Sequence, residues 1–275
     1  METFSFFEEK EVEEKIYAKV CRFLENNPPI DLDDFANFYA REIIDDDKRV
    51  IVDCEQKFLK RAKEDPEKER WQRLALVFEA LVLDQTERSN WLGTDAMTIR
   101  ASKFDDSVNG VDMIVEFPEE ISRHLALAVD VTTSDLLVKK FLRIRKEIEN
   151  GRLSQIKYFN SKNFRGELKN VPRVIIGADR STIRQVGELW LENKNKELAV
   201  HPVRKIILDE IMVQLKAFSD YAVSRGKKDI ADSYGASLKI IKRIIDEDKE
   251  RNAPLSPIND KVFSAIIEYC KNFRN

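Results

Sequence analysis

The chain is poor in the residues from which most metal and redox sites are built. Its 275 residues include two histidines, His124 and His201, and three cysteines, Cys21, Cys54 and Cys270. No pair of cysteines has C-x-x-C spacing and neither histidine lies near a cysteine in sequence, which argues against a structural zinc site. Widely spaced cysteines in odd number read as thiols of a reducing cytosol and not as a disulfide frame. Glycine and proline are equally scarce, at eight each. A Gly-rich phosphate loop, an H-E-x-x-H helix and a G-x-S-x-G elbow are all missing, so kinase, dinucleotide-binding, zincin and α/β-hydrolase chemistries have no support. No apolar run approaches the roughly 20 residues of a membrane span. The first residues, Met1-Glu2-Thr3-Phe4-Ser5-Phe6-Phe7-Glu8-Glu9-Lys10, are acidic where a secretory leader is basic and then apolar. The expectation is a cytoplasmic protein without a membrane partner.

What is present is charge and apolar mass: 35% of residues are charged and 43% hydrophobic, with a net charge of -3. That balance suits a soluble, helix-rich globular chain, long enough to build a core without disulfide or metal staples. No internal repeat or low-complexity tract is found.

Hydrophobic spacing divides the chain into three. From Phe7 to Arg61 it is helical, with Val12, Ile16, Val20 and Phe23 on one stripe, a break at Asn26-Asn27-Pro28-Pro29, and Phe35, Phe38, Tyr39, Ile43 and Ile44 on the next. Asp31 or Asp33 is placed to cap that second helix, and Lys63 to Lys68 reads as a hinge or solvated loop. A stronger helix follows from Glu69 to Arg88, with Glu79 at the edge of its apolar stripe. The period then changes to two, predicting strands over Ala96–Ser102, Val111–Phe117 and Leu125–Thr133 with a turn at 105–110. Ser134 or Asp135 can start a helix that Gly151 ends. Its polar side carries Lys139, Lys140, Arg143, Arg145 and Lys146. Short strands are expected at Gln155–Asn160 and Arg173–Ala178, then a helix capped by Asp179, then three helices from Pro202 onward, the last two separated by Pro254 and Pro257. The expected division is an N-terminal helical region (1–66), an α/β core (67–200) and a C-terminal helical region (201–275).

Two of the predicted strands each carry an acid among apolar residues. Asp112 shares a strand face with Ile114 and Glu116, and Asp130 shares one with Ala126, Ala128 and Thr132. A desolvated carboxylate is costly without a metal, a cation or several hydrogen bonds, so these acids mark a candidate site. Glu116 lies about 13 Å along the strand from Asp112, too far to share an ion with it. The cations Arg152, Lys157, Lys162, Arg165 and Lys169, interleaved with Tyr158, Phe159 and Phe164, extend the basic surface of the preceding helix.

A helix bearing Glu79, a strand with Asp112, a strand with Asp130-x-Thr132 and a basic helix resemble, in that order, the PD-(D/E)xK nuclease superfamily. The resemblance covers about Glu69 to Leu191. It implies the restriction-endonuclease-like fold, an α/β architecture in which a mixed sheet is flanked by helices, here with helical additions at both ends. It also implies Mg²⁺, or Mn²⁺, held by Glu79, Asp112 and Asp130, and hydrolysis of phosphodiester bonds, with DNA favoured over RNA. Two or three carboxylates holding such ions neutralise the scissile phosphate and lower the pKa of an attacking water. The family carries lysine two positions after the second acid, where this chain has Thr132. A hydroxyl donates a hydrogen bond but supplies no positive charge. Either a lysine migrated to the next helix, Lys139 or Lys140, takes that role, or catalysis is lost. Asp112, Asp130, Lys139 and Lys140 are thus the candidate catalytic residues, and Lys139, Lys140, Arg143, Lys146 and Lys157 the candidate nucleic-acid contacts. The alternatives are a catalytically inactive nucleic-acid-binding protein of the same fold and a structural protein-interaction module. In each case the helical ends are available for self-association into a homodimer.

Overall fold

The computed structural model describes residues 2–119, 123–133, 137–251 and 259–273. Helix α1 (Glu2–Asn26) stops at the Asn-Asn-Pro-Pro break, and Asp31 caps a 3₁₀ turn, Leu32–Phe35, by accepting the Asp33 N–H at 3.0 Å. The expected second helix is therefore two elements, because α2 (Arg41–Glu64) begins only after Ala40. The expected hinge at 63–68 shrinks to one residue. Asp65 caps α3 (Pro66–Arg88) by accepting the Glu67 N–H at 3.1 Å, and Pro66 takes the first helical position, where a missing N–H costs nothing.

A meander of β1 (Met97–Arg100), β2 (Met113–Glu119) and β3 (Arg123–Thr132) leads into α4 (Leu137–Glu149). Ser134 and Asp135, the expected start of that helix, lie outside the described residues, as do Pro254 and Pro257. Strands β4 (Ser154–Asn160) and β5 (Arg165–Val171) pair as a separate antiparallel hairpin, and β6 (Arg173–Gly177) returns parallel to β3. The main sheet is mixed, in the order β1-β2-β3-β6. Helices α5 (Arg180–Leu191), α6 (Asn195–Ala199), α7 (Pro202–Ser224), α8 (Lys228–Arg251) and α9 (Lys261–Lys271) complete the α/β architecture. Strand β5 and helix α6 are additions to the sequence expectation. Asp179 caps α5 as expected, accepting the Thr182 N–H at 3.0 Å.

The period-two alternation of β2 and β3 sends their side chains into two cores. Met113, Val115, Leu127, Val129 and Val131 join a large cluster that runs from Ile16 of α1 through α3 and the sheet to Phe273, so all three expected regions share one core. Ile114 and Ala128 point the other way, onto Ile156, Phe159 and Val171 of the hairpin. At the edge of the sheet, α7 covers β6. Gln214 takes the Ile175 N–H at 2.9 Å and gives its amide N–H to the Ile175 carbonyl at 2.6 Å, and Glu210 takes the Gly177 N–H at 3.0 Å. These side chains do for β6 what a neighbouring strand would, which keeps the edge from pairing with another chain. No helix among the described residues is long and apolar enough to cross a membrane.

Candidate functional site

The segment that delivers Asp112 is a rigid π-helical turn, Asp105–Asn109, closed by Gly110 in the left-handed region at φ 61°. Two arginines clamp its carbonyls. Arg143 of α4 donates to Val108 O at 2.7 Å, and Arg173, only 2% exposed at the start of β6, donates to Asn109 O at 2.6 Å and Gly110 O at 2.9 Å. Glycine is favoured at 110 on two counts, since a Cβ there would also lie 2.5 Å from the Arg143 guanidinium, which would have to shift.

Asp112 then stands one residue before β2. Its N–H donates to Val129 O at 3.0 Å, and its carboxylate accepts the Val131 N–H at 2.5 Å. The β2–β3 register ends at Met113 opposite Val129, and those two bonds hold Asp112 beside Asp130 at the end of the strand pair. Asp130 is 5% exposed. Its carboxylate meets the ammonium of Lys140, which reaches back from the first turn of α4 and also donates to Val131 O at 2.6 Å. Of the two lysines that the sequence offers in place of Thr132, the structure brings Lys140 to the acids. Lys139 faces outward.

Glu79 approaches from α3, nearly buried, with Arg100 of β1 donating to it at 3.2 Å. A fourth acid, Asp106 on the π-helical turn, stands close enough to Asp112, Asp130 and Glu79 for their charges to act on one another. The site therefore holds Glu79, Asp106, Asp112 and Asp130 against Arg100, Lys103 and Lys140. Asp106, Arg100 and Arg173 are not apparent as site residues in the sequence. The first sits in an acidic turn, and both arginines sit in strands whose partners are distant in sequence.

The electrostatics follow from that crowding. Burial, then the charge of Asp130, pushes the Asp112 carboxyl well above the usual carboxylate range, and Lys140 offsets only part of it. Desolvation raises Asp106 too, with the charge of Lys103 pulling it back, although Asp106 is exposed to solvent. Glu79 is pushed up to about 7 by burial against the attraction of Arg100, with Asp106 adding to the rise. Three acids raised by their surroundings are an arrangement that a divalent cation would relieve.

The donors fit Mg²⁺ in kind, being hard carboxylate oxygens. Among the described residues, however, no group of three or more His, Cys, Asp or Glu side chains is arranged to hold a metal ion. Lys140 and Arg100 occupy Asp130 and Glu79, so a cation would have to displace those ion pairs.

The expected nucleic-acid contacts separate. Lys139, Arg143 and Lys146 line one open groove along α4, which also includes Asn109, Arg152 and Arg173. Lys157 belongs to a different cluster. Its ammonium pairs with Asp47 and lies 5.0 to 5.4 Å from the ring centroids of Phe104, Tyr39 and Tyr158. Arg145 turns to the Tyr221 hydroxyl at 3.2 Å and Asn272 O at 3.0 Å. Tyr158 and Phe159 are fully buried, whereas Phe164 is 43% exposed. Comparison with protein-family models, with curated proteins and with solved structures found no match for this chain.

Proposed function

We propose that this protein is a metal-dependent phosphodiester hydrolase of the PD-(D/E)xK kind, acting on nucleic acid and on DNA in preference to RNA. The observation that carries the reading is Lys140 meeting Asp130 beside Asp112. A lysine from the following helix thereby supplies positive charge at the acid pair, the role that the family's lysine has two positions after the second acid. The mixed sheet with helices packed on it, the first acid at the entrance to the second strand and the second acid on the third strand agree with that resemblance.

In this reading Asp112 and Asp130, with Glu79 and Asp106 nearby, would hold Mg²⁺ or Mn²⁺, which would supply charge neutralisation at the scissile phosphate and a water of lowered pKa. The chain's own residues do the rest. Lys140 moves from Asp130 to the phosphate, exchanging one anionic partner for another, and Arg100 holds Glu79 against the end of the sheet. The Val131 N–H fixes the rotamer of Asp112. Thr132 offers a hydroxyl but no charge. The test is cleavage of a mixed DNA and RNA panel with Mg²⁺, Mn²⁺ or chelator. The wild type should cut in a metal-dependent way, and Asp130→Ala should lose at least about 10³-fold while keeping its fold. Equal cleavage by the two proteins would end the assignment.

The ion pairs Asp130–Lys140 and Glu79–Arg100 also favour a second reading, a nucleic-acid-binding protein of the same architecture whose acids are permanently neutralised. Binding by the wild type with no cleavage under either metal would select it.

A further inference from the structure

The groove along α4 is a cavity of about 530 Å³ that opens to solvent beside the turn delivering Asp112. Lys139, Arg143, Lys146 and Asn150 follow one another at helical spacings of four, three and four, so one face of α4 forms its floor. Arg152 and Arg173 add charge from beyond the helix. Glu147, the acid among the lining residues, is answered by Arg173 at 3.2 Å and Arg143 at 3.7 Å. Those two guanidiniums are further engaged by the carbonyls of Val108, Asn109 and Gly110. Lys139, Lys146 and Arg152 are different, since they are exposed and form no ion pair with a described residue.

We infer that this groove holds the phosphodiester backbone of one nucleic-acid strand, on one side of the scissile phosphate only. The inference rests on the hydrolase reading of the acid cluster. It adds a direction and a length. Lys140 enters the cluster from the same helix that carries Lys139 into the groove, so a strand leaving the acids along α4 passes Lys139 first and Lys146 next. Seven residues of helix are about 10 Å, which is the rise of about three phosphates of one strand. The charge complements a polyanion. Lys157, tied to Asp47, takes no part.

The test is binding of a labelled single-stranded oligodeoxynucleotide to the full chain in chelator, followed by fluorescence anisotropy across a salt series. The triple variant Lys139→Gln, Lys146→Gln, Arg152→Gln should lose about 2 from the slope of log K against log salt, at about 0.7 per phosphate contact removed. Its melting temperature should stay at the wild-type value. Lys57→Gln with Lys60→Gln, which removes exposed charge from α2, should leave the slope unchanged. A triple variant with wild-type affinity and slope would overturn the groove, as would a wild type that does not bind the oligonucleotide. Displacement by polyglutamate at the same concentration of anionic groups would also overturn it, by showing an acidic peptide to be as good an occupant. The two readings fail separately. Groove-dependent binding without metal-dependent cleavage upholds the groove and removes the hydrolase, and metal-dependent cleavage by a triple variant with an unchanged salt slope does the reverse.

Discussion

Asp105 and Asp106 are neighbours on the same turn, and their surroundings differ in kind. Asp105 is fully buried and takes the Ser102 hydroxyl at 2.7 Å, the Asn109 amide at 2.7 Å, and the backbone N–H groups of Lys157 and Tyr158 at 2.8 and 3.0 Å. Burial raises its carboxyl, and the hydrogen bonds from Ser102, Lys157, Tyr158 and Asn109 lower it. Asp106 instead stands among acids: the charge of Asp130 raises Asp106 and Asp112, and that of Asp106 raises Glu79. Desolvation raises the carboxyl in both settings, so desolvation alone does not mark a functional acid. The difference lies in what the acid faces: neutral donors tie β4 to the turn in one case, and like charge with insufficient cation gathers at the sheet end in the other.

The sharpest way to break this comparison is to remove Asp105. Asp105→Ala strands four donors in the interior and should cost about 3 kcal/mol in denaturant unfolding. A loss below about 1 kcal/mol would mean that the turn is held by its arginine clamps instead. Next in size is Lys140→Met, which should lower metal-dependent cleavage about 100-fold with the fold intact. Unchanged cleavage would assign the missing positive charge to another residue.

A smaller effect, of opposite sign to that at Asp105, is expected from Asp112→Asn. A group whose folded pKa is raised contributes stability that is fully present below its unfolded pKa and is lost as pH rises through the folded value. The asparagine keeps an acceptor for the Val131 N–H and carries no charge. It should therefore melt higher than wild type, by about 1 kcal/mol at pH 8 and by nothing at pH 4. An effect of the same sign is expected at Glu79. Because its carboxyl is pushed up to about 7, it contributes a decline in wild-type stability between roughly pH 4.5 and 7. Glu79→Gln should flatten that part of the profile, and an unaltered slope would place the titration elsewhere.

Much of this site was legible because its signals are periodic or local. Alternation over 111–117 and 125–133 set the parity of both acids, and the pairing of β2 with β3 brought them to the same end of the sheet. Helical spacing put Lys140 within reach of the sheet end. What stayed hidden was non-local or aperiodic. Arg173 holds carbonyls 63 and 64 residues away, which no window of sequence reveals. Strand β5 lacks alternation, with Gly166 at φ 148° and Asn170 at φ 58° interrupting a charged run. Asp106 looks like an ordinary turn acid until the left-handed Gly110 folds the turn back over Asp112. The basic surface read as one stripe on α4 divides, because residues one apart on a helix point about 100° away from each other.

The central claim is that the acid cluster is short of positive charge and is completed by a divalent cation. It is tested most directly by thermal unfolding with Mg²⁺ or Mn²⁺ against chelator at pH 6 and pH 8, for wild type and for Asp112→Asn with Asp130→Asn. A ligand that binds only the folded state stabilises it by mass action, and protons compete for raised carboxyls. Metal should therefore raise the wild-type melting temperature, more at pH 8 than at pH 6, and leave the double variant unmoved. A wild type whose melting temperature is the same with millimolar metal and with chelator at both pH values would contradict the account.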